Sequence, residues 1–214
     1  MRFALFDLDN TLVSRTTALQ AAVVFLCQDR GYGPDIEAWL LVELAERADP
    51  GIFARLVESF RLADDEVRLW RLYVDRMAAA VTSRPEVLSG LARLREDAWT
   101  IGVVTNGCGD IQRAKLAATG LADMVDGFVV SGDAEIRKPD RRLFELAATR
   151  CGVDLAEGGW MVGDNPAGDI GGGYQAGLRT IWLRGRPWPD GLPRAHHAVD
   201  DVTDAFTILL SETE

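Results

Sequence analysis

Phe3-Ala4-Leu5-Phe6-Asp7-Leu8-Asp9-Asn10-Thr11 is an apolar run that ends abruptly in carboxylates and a hydroxyl. A short apolar run without alternation is the pattern of a parallel strand covered on both faces. Four similar runs occur further on, at Thr100 to Val104, Val125 to Ser131, Trp160 to Gly163 and Thr180 to Leu183. Helical patterns separate the later ones. Ser83-Arg84-Pro85-Glu86 has capping-box spacing and predicts a helix through Leu88, Leu91 and Leu94. Further helices are predicted over Ile111 to Thr119, from Pro139 to Cys151, over Asp169 to Ala176 and over Val202 to Leu210. Strands alternating with helices predict an α/β fold with a Rossmann-like parallel sheet.

Between the first two runs, residues 15–82 carry no strand-like stretch. They hold helical patterns broken near Gly31-Tyr32-Gly33-Pro34, Asp49-Pro50-Gly51 and Asp64-Asp65. In the last of these patterns Val67, Trp70, Val74, Met77 and Val81 obey helical spacing. The expected organisation is an α/β core from residues 1–14 and 83–214, interrupted by a four-helix cap domain at 15–82.

Charge and composition narrow the function classes. The chain has 23 Lys+Arg against 33 Asp+Glu, a formal charge of −10, which disfavours a nucleic-acid partner and an anionic membrane surface. No apolar run approaches membrane-span length, and the first acid arrives too early for a signal peptide. The three cysteines, Cys27, Cys108 and Cys151, form no C-x-x-C and give no disulfide framework. These features fit a soluble, cytoplasmic protein. The pair His196-His197 is expected in a surface loop without a metal.

The residues just beyond the strands carry the chemistry. After the first strand come Asp7, Asp9 and Thr11; after the second, Thr105-Asn106-Gly107; after the fourth, Gly163-Asp164 and, five residues on, Asp169. In a parallel sheet these ends share one edge, where ligands bind. A single Asp at a strand end is usually a cap or turn former. Four of them with a hydroxyl and a lysine make a site instead. Clustered carboxylates repel one another, and a hard divalent ion such as Mg²⁺ relieves that repulsion.

The series Asp7-x-Asp9-x-Thr11, Thr105 after an apolar strand, Lys138-Pro139 and Gly163-Asp164-x-x-x-x-Asp169 resembles, in order, the four motifs of the haloacid dehalogenase-like superfamily. The helical insertion looks like the family's cap. The resemblance implies that Asp7 is the nucleophile that forms an aspartyl-phosphate. Asp9 would be the general acid for the leaving group and then the base for water. Mg²⁺ would be held by Asp7, the backbone carbonyl of Asp9, and Asp164, with Asp169 orienting that shell. Thr105 and the backbone amide of Asn106 would grip the phosphoryl oxygens, and Lys138 would neutralise charge there. Asp9 would need a raised pKa, which neighbouring like charges could supply.

The chain has 21 arginines and two lysines, Lys115 and Lys138. One of the two standing in the third motif suggests that a compact ammonium is needed there. Lys115, on a helix, has no evident task. Asn10 stands where many family members have Gly, a place that tolerates a left-handed backbone. The expected activity is Mg²⁺-dependent hydrolysis of a small phosphorylated metabolite. The alternatives are a phosphomutase, a 2-haloacid dehalogenase, or a non-catalytic binding protein on the same fold. Dehalogenases resembling this family lack the second acid of the first motif and use no metal, so Asp9 counts against them.

Overall fold

β1 (Phe3–Phe6) lies inside a six-stranded, wholly parallel sheet of order β3-β2-β1-β4-β5-β6. The other strands are β2 (Thr100–Thr105), β3 (Gly127–Val130), β4 (Trp160–Gly163), β5 (Arg179–Leu183) and β6 (His197–Val199). The structure is a computed structural model and describes residues 2–212. β1 is buried along its whole length because both faces of the sheet are covered. Phe3 and Leu5 pack with Val104, Met161 and, from α8 (Arg141–Arg150), Leu143 and Phe144. Ala4 and Phe6 face the other way, among Leu91 and Leu94 of α5 (Pro85–Glu96) and Phe206 and Leu209 of α10 (Val202–Ser211). Each such large apolar side chain stabilises the fold by about 1.5–3 kcal/mol relative to exposure.

Four helices intervene between β1 and β2: α1 (Arg15–Arg30), α2 (Pro34–Glu43), α3 (Pro50–Phe60) and α4 (Glu66–Ala80). Leu69, Tyr73 and Met77, one turn apart on α4, are buried in one cluster with Ala18, Leu19, Ala22, Val23 and Leu26 of α1. Phe53 of α3 closes the group, with its ring 5.8 Å from Trp70 and 5.4 Å from Tyr73. The Trp70 indole donates to Asp110 Oδ2 at 2.5 Å, which ties α4 to α6 (Gly109–Ala118) of the α/β layer. The remaining helices are the short α7 (Ser131–Ala134) and α9 (Gly172–Gln175).

Some local expectations change. Ser83 does not form a capping box. Its hydroxyl donates to Leu12 O at 3.1 Å, pinning the returning chain to the departing one, and Arg84 takes the cap position. α8 starts at Arg141 rather than Pro139, because the Asp140 carboxylate accepts from Arg142 N; Lys138-Pro139, with a cis peptide, lies in the turn before it. The helix after β4 starts three residues early, at Pro166, and winds as a π-turn to Gly171. His196 and His197 are not in a free loop. His197 opens β6, and His196 Nδ1 accepts from Thr180 N at 3.1 Å. In β6 only Val199 is buried, so that strand leaves no apolar run to read.

Candidate active site

The sheet delivers the first carboxylate. Asp7 N donates to Val162 O at 2.9 Å, which extends the ladder one residue past β1 and fixes Asp7 at the carboxyl edge. The chain then turns sharply at Asn10, whose φ of 58° is left-handed, as expected of a position that Gly often fills. The Asn10 side chain accepts from Arg15 N at 3.1 Å, supplying a partner for an otherwise free donor at the start of α1. After β4, Asn165 Oδ1 accepts from Gly168 N at 2.8 Å and Asp169 Oδ2 accepts from Asn165 N at 2.9 Å. These two bonds curl the segment so that Asp169 points back toward Asp164.

Asp7, Asp164 and Asp169 each offer a carboxylate oxygen within 4.8 Å of the others, and all three residues are buried. Lys138 Nζ stands among them, 2.6 Å from Asp7 Oδ1 and 2.7 Å from Asp169 Oδ1, and donates to Val104 O at 2.7 Å. Asn106 holds the Lys138 backbone from both sides, accepting from its N–H at 2.9 Å and donating to its carbonyl at 3.1 Å. Burial pushes the Asp7 carboxyl up to about 7 although Lys138 pulls the other way. Burial also raises Asp164 and Asp169, against the opposing pull of Arg186 and Lys138 respectively. Burial pulls the Lys138 amine down, but Asp169 and Asp7 outweigh it and hold it above the usual lysine range. Three buried carboxylates, two of them paired with Lys138 and the third with Arg186, form an all-oxygen set that suits a hard divalent cation.

Asp9 lies in a different setting. Lys115 Nζ is 2.7 Å from its Oδ1 and 2.9 Å from its Oδ2, and Gln112 Nε2 donates to Oδ2 at 3.1 Å. Arg15 Nε is 3.9 Å away. Its hydrogen-bonded neighbours are thus cationic or neutral. Gln112 also donates to Thr105 Oγ1 at 2.6 Å. Thr105 is fully buried, while Asn106 and Gly107 reach the cavity surface.

A cavity of about 510 Å³ joins the two groups and is lined by Asp7, Asp9, Lys138, Asp164 and Asp169 together with Lys115 and Gln112. Arg15, Glu46, Arg47 and Tyr73 of the helical insertion face the same space. Arg186, from the loop after β5, sits at its rim, 3.0 Å from Asp164 Oδ2 and 3.7 Å from Glu46 Oε2. Asp7, Asp9, Asn106, Lys138, Asp164 and Asp169 line this one cavity, whereas Thr105 and Thr11 are buried and do not. Lys115, Gln112, Arg15 and Arg186 were not expected there. Lys115 carried a signal, being one of two lysines; the others are single polar residues in ordinary helical or loop contexts.

Residues 4–183 match the model of the haloacid dehalogenase-like hydrolase family. The pyrimidine 5'-nucleotidase YjjG of Escherichia coli is 35% identical over 134 residues, 62% of this chain; the match spans only 59% of that enzyme's length. The glyceraldehyde 3-phosphate phosphatase of Methanopyrus kandleri is 34% identical over 223 residues, covering 95% of this chain and 91% of its own. Among solved structures, the 2-haloacid dehalogenase of Pseudomonas syringae pv. Tomato superposes with a TM-score of 0.68 at 26% identity, covering 99% of this chain and 98% of that one. Phosphatases and a dehalogenase thus share this fold, and the fold by itself does not select the reaction. Among the described residues no helix is long and apolar enough to cross a membrane.

Proposed function

The chain belongs to the haloacid dehalogenase-like hydrolases, and from that premise we propose that it is a Mg²⁺-dependent phosphatase of small phosphorylated metabolites. The reading rests on one observation above all: three buried carboxylates converge around Lys138 beside a fourth, Asp9. A dehalogenase of this family needs neither the cluster nor Asp9. Two relatives named for phosphate-ester hydrolysis support the phosphatase side.

In this reading Asp7 attacks phosphorus while the ester P–O bond breaks. The leaving oxygen takes its proton from Asp9. Water then attacks the aspartyl-phosphate, Asp9 takes a proton from it, and the Asp7 carboxylate and inorganic phosphate are regenerated. Asp7, Asp164 and the Asp9 carbonyl would hold Mg²⁺, with Asp169 supporting that shell. Bound there, the ion would neutralise charge on the nucleophile and the phosphoryl oxygens, which is most of what phosphoryl transfer requires. Lys138 adds a fixed positive charge on the nucleophile. Asn106 fixes Lys138 and, with its own amide, meets the phosphoryl group; Thr105 supports that turn. Residues 15–82 act as the cap over a core of 1–14 and 83–214, excluding water while the ester bond breaks.

The test is release of inorganic phosphate from p-nitrophenyl phosphate and from a panel of sugar phosphates and nucleotides, with Mg²⁺ and with excess EDTA. Phosphate release that EDTA stops is the expected result. Isomerised sugar phosphate without net phosphate release would identify a mutase. Halide release from a 2-haloacid with no metal requirement would identify a dehalogenase.

A further inference from the structure

Lys115 is 2% exposed, and its ammonium lies on both oxygens of Asp9, at the wall of the cavity that holds Asp7. Burying an ammonium costs several kcal/mol unless a partner offsets it. The chain accepts that cost on the buried face of α6, which Ile111 and Leu116 share and where an apolar residue would be cheaper. Gln112 stands three residues earlier on the same face of α6 and bonds the same carboxylate, as well as Thr105. Arg15, the third neighbour, has its terminal nitrogens on Leu44 O and Ala45 O and approaches Asp9 only at 3.9 Å.

We propose that Lys115, supported by Gln112, is the positioning residue of Asp9, holding its carboxylate toward the leaving group and balancing its charge as the proton departs. The assignment rests on the phosphatase reading. A general acid becomes an anion in the step it catalyses, so a fixed cation on that anion stabilises the transition state more than the ground state. Two bonds from one ammonium to two carboxylate oxygens also fix the plane of the group, which a single bond would leave free to turn. A purely structural tie between α6 and the loop after β1 would serve all substrates alike. A positioning role must depend on how badly the leaving group needs a proton.

The experiment compares wild type, Lys115→Met, Lys115→Arg, Asp9→Asn and the Asp9→Asn/Lys115→Met double variant on p-nitrophenyl, phenyl and benzyl phosphate, with circular dichroism to check folding. Met is close in length and removes only the charge and donors. The kcat loss in Lys115→Met should grow at least about tenfold from p-nitrophenyl to benzyl phosphate, parallel to Asp9→Asn, with KM little changed. Lys115→Arg should recover part of that dependence. The double variant should be no worse than Asp9→Asn within about twofold, since both remove one device. A uniform loss across the series, or multiplying losses in the double variant, would make Lys115 a structural tie and overturn the assignment. If Lys115→Met does not fold, Lys115→Gln carries the same comparison. A flat series in Asp9→Asn itself would remove Asp9 from leaving-group protonation, and the Lys115 assignment with it. Absence of any phosphate release by wild type would instead refute the phosphatase reading.

Discussion

Lys138 and Lys115 are the two lysines of an arginine-rich chain, both buried, and each bonded to one carboxylate of the Asp7-Leu8-Asp9 stretch. Their surroundings differ. Lys138 directs its ammonium at three separate acceptors, Asp7, Asp169 and Val104 O, and its backbone is clamped by Asn106. Two of its three N–H groups donate, to Asp7 Oδ1 and Val104 O, while the contact with Asp169 is an ion pair. Lys115 spends two contacts on a single carboxylate and lies against the cavity. Their titration tendencies diverge for the same reason. Two carboxylates hold Lys138 up, whereas burial lowers Lys115 despite the opposing pull of Asp9. In the proposed mechanism this is a division of labour: one lysine is a static part of a charge cluster, and the other serves a carboxylate that would gain and lose a proton.

The largest effect belongs to Asp7, the proposed nucleophile on the Lys138 side. Asp7→Asn should lower turnover by about 10⁴-fold or more with the fold retained, because the amide is nearly isosteric and a poor nucleophile. Retained activity in a folded variant would end the proposed role. The same variant tests the electrostatics. Asp7 titrates near 3.8 when unperturbed and about 7 here, so the native protein holds a proton that the unfolded chain loses over that interval. Metal-free wild type should therefore lose stability as pH rises from about 4 to about 7. The melting temperature of Asp7→Asn relative to wild type should be higher at pH 8 than at pH 5. An unchanged difference would place the Asp7 carboxyl near its ordinary range.

Lys138 comes next. Lys138→Ala should cost about 10²–10³ in kcat/KM, as loss of a fixed cation facing a developing charge. Lys138→Arg should cost at least about tenfold, ~1.4 kcal/mol, since a planar fork does not fit three convergent acceptors. Because Lys138 balances Asp7 and Asp169, Lys138→Ala should also melt lower without metal, with Mg²⁺ recovering part of the loss. Full activity in Lys138→Arg would show that charge alone suffices there.

Two glycines disturb the two sides without touching a charge. A Cβ on Gly163 would run into the Asp169 carboxylate, so Gly163→Ala should displace the cluster and lower both Mg²⁺ affinity, read by calorimetry, and kcat, the latter by about 10²-fold. A Cβ on Gly107 would come within 2.8 Å of Gln112 Cγ, a flexible side chain that can shift. Gly107→Ala should leave Mg²⁺ affinity unchanged and lower kcat by less than about tenfold, ~1.4 kcal/mol, mainly on benzyl phosphate. Equal losses of metal affinity in both variants would erase the distinction between the two sides.

Much of this was legible in the sequence. Five of the six strands lie within two residues of their apolar runs, because a strand buried on both faces leaves an unbroken apolar signature. β6 was missed because an edge strand of three residues with one buried side chain leaves none. The capping-box reading failed at Ser83 because a hydroxyl near a helix start can serve a nearby carbonyl instead, here Leu12 O. Asp7, Asp164 and Asp169 were found because they follow strands that the parallel sheet delivers to one edge, and Lys138 because Lys138-Pro139 resembles the family's third motif.

The sequence by itself determined the parallel α/β core, the helical insertion after its first strand and the carboxylates at the strand ends, because periodicity and order along the chain encode them. The pairing of Lys115 with Asp9, 106 residues apart, was decided only by the tertiary structure. Helical spacing puts Gln112 and Lys115 on one face of α6, but it does not say what that face meets. The answer depends on the rotation and depth at which α6 packs beside α4 and β3, set by the side chains buried between them. The same holds for Arg186, whose approach to Asp164 depends on a loop path that no periodicity records.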